Sequence, residues 1–309
     1  MEYRDISYNF SVAKVLSILM VATGHFFSGT ILWIPTTVAL FIFAFSSGYF
    51  SAAKYVGAFS VRKFWRAKIV RLGYSLAVID LFLLMLFLFE GRGGIFSWKT
   101  LVAMAGLNAV LPWMGIPYRG PFGYGLWFLT VLWLFYLAYP VIERINRERL
   151  RAVLFIGLML AVTTGLNFTV LVGYELWLTV FGFLFGCFVA GTPARLPFSW
   201  AFGLLAGCVA AMLALNGFWH VHAFNYFLIL AASVAVCAVL LAKRLPDRLS
   251  PFATLLSGCV MEIYLIHSYL FVHFRIPVIL DYLVSIALIV LVAKALAALR
   301  DGLRSAQTA

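Results

Sequence analysis

Apolar residues in this chain come in long unbroken stretches, not at the alternating spacing of a half-buried strand. The stretches lie at about 9–28, 34–53, 69–89, 124–142, 152–170, 174–191, 198–217, 222–242, 254–274 and 277–299. Most come close to the ~20 residues a helix needs to cross a hydrocarbon core ~30 Å thick at ~1.5 Å per residue. Inside lipid, a backbone must satisfy its own hydrogen bonds, which a helix does. The pattern therefore predicts an all-α, polytopic integral membrane protein of about ten transmembrane helices. No repeat at fixed period divides the chain, so a single membrane-embedded domain over 1–309, without a soluble domain, is expected. One further apolar run, "LVAMAGLNAVL" at 101–111, is too short to cross alone.

The basic residues decide the status of that short run. They cluster as Lys54, Arg62, Lys63, Arg66, Lys68 and Arg71, then Arg144, Arg147, Arg149 and Arg151, then Lys243, Arg244 and Arg248, and finally Arg300 and Arg304. Cytoplasmic loops collect lysine and arginine. If 101–111 spanned, every cluster after it would fall on the opposite side. With 101–111 re-entrant or interfacial inside an outer loop over 90–123, all clusters face the cytoplasm. Both termini are then cytoplasmic.

Composition supports the same class. Hydrophobic residues make up 64% of the 309 and charged residues 11%, against roughly 45–50% and about 25% in soluble domains. The formal charge of +12 sits in short clusters between apolar runs, which argues for topology signals and against nucleic acid as a partner. Cys187, Cys208, Cys237 and Cys259 all lie inside apolar runs without Cys-x-x-Cys spacing, and read as buried apolar residues. Lys14 interrupts the first run and no small-residue cleavage site follows it, so this run is expected to be a retained span.

Ionisable residues within spans are costly, about 2.5–3.5 kcal/mol at the centre of a helix on insertion scales, and therefore informative. The candidates are Lys14, His25, Asp80, Glu175, Glu262 and His267. Lys14 and His25 are eleven positions apart, close to three full turns, so both project from one face of the first helix about 16 Å apart along its axis. Taken singly, Lys14 suits a snorkelling lysine and His25 a histidine bonded within the bundle or at the interface. Their shared face makes a functional path the sharper reading. His267 is expected at a depth similar to His25, where two histidines could form a proton relay, a base with its orienter, or part of a metal site. No metal is expected, because HxxxH and HExxH spacings are absent. Glu262 is offset by about 140° from His267 on a helix. Asp80 and Glu175 are expected to make structural hydrogen bonds, and His220 and His222 to lie solvated in an outer loop.

Two further stretches carry candidate chemistry. "FAFSSGYF" places Ser47 and Gly48 where small residues permit close approach of a helix or a ligand. "VRKFWRAKIVRLGY" carries Arg62, Lys63, Arg66, Lys68 and Arg71, which serve topology and lipid headgroups and also suit a polyanionic ligand bound through its phosphates.

In this order and spacing the segments resemble the acyltransferase 3 family over nearly the whole chain. Carrying the resemblance are Lys14 and His25, "FAFSSGYF", the pair Lys68 and Arg71, "GLWFLTVLWLFYLAYP" and "YLIHSYLF". Three departures stand out: lysine at position 14 where arginine is frequent, "RLGYS" without the usual proline, and no glutamate before Phe135-Tyr136. The resemblance implies transfer of an acyl group, most often acetyl, from cytosolic acetyl-CoA or another acyl-CoA. The acceptor would be a hydroxyl of a cell-surface or lipid-linked glycan, and the setting the bacterial cytoplasmic (inner) membrane. By the same resemblance, His25 acts as general base or transient acyl carrier, Lys14 positions the donor, and His267 joins them. Arg62, Lys63, Arg66, Lys68 and Arg71, with Ser47 and Gly48, bind acyl-CoA, while Trp127, Tyr136 and Glu262 line or pack the cavity. The rival from the residues alone is a multispan transporter or flippase using the same intramembrane polar groups.

Overall fold

A computed structural model describes residues 1–55, 59–123, 125–170, 173–192, 196–274 and 277–306, and among them it holds helices and turns but no strand. In chain order the helices are α1 (Tyr3–Phe26), α2 (Trp33–Lys54), α3 (Val61–Phe89), α4 (Trp98–Val102), α5 (Val110–Trp113), α6 (Trp127–Asn146), α7 (Arg149–Thr169), α8 (Tyr174–Ala190), α9 (Phe198–Leu213), α10 (Asn225–Ala242), α11 (Ser250–Leu256), α12 (Val260–Ile266) and α13 (Val278–Ala306). Among the described residues nine helical stretches are long and apolar enough to cross a membrane. The remaining apolar run, 174–191, forms α8, whose 17 residues span only about 26 Å.

Two elements differ from the hydropathy pattern. Helix α3 begins eight residues before its apolar run, so its basic segment is helical too. Ser60 caps it by accepting a hydrogen bond from the Lys63 backbone N–H at 3.5 Å. The run at 254–274 is not one helix. It is assembled from α11, a tight turn at Ser257–Cys259, α12 and a second tight turn at His267–Tyr269.

The chain divides into two compact units. The first comprises Met1–Ala58 and Val141–Ser257. Its closest packing joins α2 to α8. A Cβ on Gly48 would fall 2.1 Å from the Phe183 carbonyl oxygen, and one on Gly186 2.2 Å from that of Phe45. Gly182 and Gly186 make the small-xxx-small spacing that lets membrane helices touch backbone to backbone. Beside this contact Phe10, Phe41, Phe45 and Tyr49 stack in a ladder, with neighbouring centroids 5.7 to 6.4 Å apart. The start of α1 is fastened by Asn9, which is fully buried. Its amide donates to the carbonyls of Leu240 at 2.7 Å and Lys243 at 2.8 Å, and its oxygen accepts from the Leu245 N–H at 2.8 Å. Next to it Arg244 donates to Asp247 and Asp5, which hold its guanidinium charged well above the usual range. Helices α7 and α9 bury little of their apolar surface, as lipid-facing helices do.

The second unit comprises Phe59–Pro140 and Gly258–Ala309. Within it the run at 101–111 folds as two short helices, α4 and α5, joined by a wide π turn at Ala103–Leu107. Neither piece is long enough to cross. The break falls at Gly106, whose φ of +75° suits glycine and whose missing Cβ would lie 2.5 Å from Leu129. A broken helix frees backbone groups that lipid cannot satisfy. Side chains of α6 satisfy them: the Thr130 hydroxyl donates to the Gly106 carbonyl at 3.0 Å and accepts from the Ala109 N–H at 3.2 Å, and the Trp133 indole donates to the Ala105 carbonyl at 3.1 Å.

Candidate functional site

The residues singled out from the sequence fall into both units. Lys14, His25, Ser47 and Gly48 belong to the first. In it, Lys14 sits near the middle of α1 and His25 in its last turn. Both are partly exposed, although Ala13, Val15, Val21 and Ala22 around them are buried. The Lys14 ammonium lies 5.9 Å from the centroid of the Phe50 ring on α2, a turn before Lys54. It therefore leans back toward the start of α1, as helical side chains do. Gly24 allows the close approach of α1 that positions His25. A Cβ there would meet the Thr36 hydroxyl at 2.2 Å. Ser47 is partly exposed, whereas Gly48 is committed to the contact with α8. Of the two small residues, only Ser47 keeps an accessible side.

In the second unit the first three turns of α3 carry five cations within ten residues. Arg62, Lys63, Arg66 and Arg71 are exposed. Lys68 instead turns inward, its ammonium 4.2 Å from the centroid of Tyr136 and 5.2 Å from that of Phe64. Phe64 is buried and stacks on Tyr139 at 4.6 Å, which fixes this end of α3 against α6. Cations at a helix N-terminus oppose the helix dipole, so the cluster does not serve the stability of α3. Its charges and the positive end of the helix dipole together favour an anion. Tyr136 is buried in this aromatic group, and Trp127 is partly exposed and meets Phe128 edge to face at 6.3 Å.

His267 is fully buried in the turn that ends α12. Its Nδ1 lies 2.6 Å from the Tyr264 carbonyl oxygen and its Nε2 3.1 Å from the Ser268 hydroxyl. Glu262, one turn earlier and 1% exposed, engages other partners. Its Oε1 accepts from the Ser75 hydroxyl of α3 at 3.0 Å and forms a short ion pair with Arg300 of α13. Arg300 also donates to the Gly258 carbonyl at 3.1 Å, a group exposed by the break between α11 and α12. Glu262 thus ties three elements of its unit together. Sequence reasoning missed Ser268, Gly24 and the Arg300 partnership; the adjacency of Ser268 to His267 was the one local signal.

The structural hydrogen bonds expected of Asp80 and Glu175 are not found among the described residues. Glu175 stands in the first turn of α8, where the helix dipole itself favours a carboxylate. Asp80 is partly exposed on α3. His222 is exposed and bonds through Nδ1 to Asn216 at 2.5 Å, within a reciprocal Asn216–Asn225 amide pair. No group of three or more histidine, cysteine, aspartate or glutamate residues fit to hold a metal occurs among the described residues.

The sequence pattern of a family described as an acyltransferase domain matches residues 7–298. No curated protein and no solved structure matches the chain.

Proposed function

The chain belongs to the acyltransferase 3 family and is a membrane acyltransferase, and from that premise we propose that it moves an acyl group, acetyl in the first instance, from cytosolic acyl-CoA to a hydroxyl of a cell-surface or lipid-linked glycan. The observation that carries the reading is the pairing on α1 of a mid-span cation, Lys14, with a last-turn histidine, His25, both partly exposed beside buried neighbours. Such a residue pair is costly in lipid. Histidine has an unperturbed pKa near ~6.5, so it can take a proton from a sugar hydroxyl as that oxygen attacks a thioester. His25 serves as general base or transient acyl carrier, and Lys14 draws the donor toward it.

Acyl-CoA is a polyanion, and the exposed Arg62, Lys63, Arg66 and Arg71 form a fitting array for its phosphates. The basic clusters face the cytoplasm in this reading, with both termini on that side and His25 near the outer surface of a bacterial inner membrane. The family match favours transfer over the transporter or flippase reading.

Purified protein in nanodiscs, given labelled acetyl-CoA and candidate glycans, should yield an acetylated glycan, and His25→Ala should abolish the product without altering the melting transition. Full activity of His25→Ala would overturn the role of His25. Movement of glycan across the bilayer with no acyl product would overturn the transferase chemistry proposed here.

A further inference from the structure

We propose that Ser268 is a covalent acyl carrier activated by His267, an inference that rests on the acyl-CoA-dependent transfer proposed above. The argument begins with the Tyr264 carbonyl oxygen, which can only accept. At 2.6 Å from Nδ1 it requires the imidazole proton to sit on that nitrogen. In the neutral ring Nε2 then carries a lone pair, and the Ser268 hydroxyl, 3.1 Å away, donates to it. A nucleophile, a base within reach of it and a third group that orients the base make up the arrangement that activates serine hydroxyls.

The surroundings fit the assignment. His267 is fully buried and meets the rings of Tyr264 and Phe271, at 5.9 and 6.0 Å, so its orientation is held. Ser268 keeps part of its surface exposed, as a group that must meet a substrate requires. A hydroxyl in a membrane helix ordinarily bonds the carbonyl one turn back. Ser11, Thr23, Thr37 and Thr163 of this chain do so, at 2.7 to 2.8 Å. The Ser268 hydroxyl is given instead to an imidazole.

In the first half of the reaction Ser268 Oγ attacks the thioester carbonyl carbon as its proton passes to Nε2. The carbon–sulfur bond breaks, the proton moves from Nε2 to the departing sulfur, and free coenzyme A thiol leaves an ester on Ser268. In the second half the acceptor hydroxyl attacks the ester carbon. The carbon–Oγ bond breaks, and the hydroxyl proton, taken up by a general base, ends on Ser268 Oγ.

The test is to incubate the purified full chain in nanodiscs with radiolabelled acetyl-CoA and no glycan. The expected result is release of coenzyme A thiol and a labelled protein whose label maps to the peptide containing Ser268. Ser268→Ala should lose that label and lose glycan acetylation by roughly a thousandfold or more. Ser268→Cys should hold the label as a thioester cleaved by neutral hydroxylamine, which excludes simple misfolding. Wild-type rates in Ser268→Ala, or label found on His25 instead, would overturn the carrier while leaving the acyl-CoA reading intact. A wild-type protein that makes no acyl product from acyl-CoA at all would overturn both.

Discussion

The ammonium of Lys68 sits 4.2 Å from the centroid of the Tyr136 ring. A cation in that position gains about 0.5 to 2 kcal/mol from the ring, the larger value when desolvated. It also separates Lys68 from its four exposed basic neighbours. Lys68→Ala and Tyr136→Leu should each lower the melting temperature, with Tyr136→Phe close to wild type. Arg62→Ala and Arg66→Ala should leave the melting temperature unchanged while raising the KM for acyl-CoA, increasingly so at low salt. Thermal scans alongside KM values at two ionic strengths check this.

The Glu262–Arg300 pair makes a prediction of opposite form. Removing one partner of a buried pair leaves an uncompensated charge, at about 3–5 kcal/mol, whereas replacing both with apolar residues is often close to neutral. Arg300→Leu and Glu262→Leu should each destabilise strongly, and the double variant should recover most of the loss. Denaturation of the three variants in detergent measures it. Additive losses would show that the two side chains do not act as a pair.

At the contact of α2 with α8, Gly48→Leu and Gly186→Val would drive side chains into carbonyl oxygens that would lie only 2.1 and 2.2 Å from the first carbon added. Overpacking of this kind costs about 1–3 kcal/mol and occasionally more. Both variants should fail to give a monodisperse peak on size exclusion, while Ser47→Ala folds normally. Normal folding of Gly48→Leu would return Gly48 to the candidate ligand contacts.

Gly24 allows a compensation experiment. Gly24→Ala should reduce turnover, because the new methyl meets the Thr36 hydroxyl and displaces the last turn of α1 that carries His25. Thr36→Gly in the same chain should restore it. Turnover of the single and double variants decides the outcome, with the KM for acyl-CoA expected to stay constant.

Hydropathy made the spans legible because the cost of apolar residues in water is additive along a segment. The same averaging hid the breaks. A window over 254–274 sees apolar content, not the turns at Ser257–Cys259 and His267–Tyr269 that divide it, since the first is bonded by Arg300 and the second meets the Phe87 ring of α3, both distant in sequence. The basic start of α3 was read as a charged stretch flanking a span, and its helical state depends on Phe64 packing against Tyr139, a tertiary contact. Lys14 and His25 were legible because helix periodicity alone aligns them. Gly48 was not assignable, because a small residue that admits a ligand and one that admits a neighbouring helix look the same until the neighbour is known. Ser268 was overlooked because a serine beside a histidine carries no meaning until the imidazole's other nitrogen is engaged.

The 29 residues of α3 make a rod about 43 Å long, some two turns more than a hydrocarbon core requires. The surplus is the cationic end. Arginines on a loop would have to be gathered around each arriving anion, at a cost of about 0.5–1.5 kcal/mol for every side chain immobilised and more for the backbone. Here the backbone part of that cost is met when the protein folds, and the charges stand in register before any anion arrives.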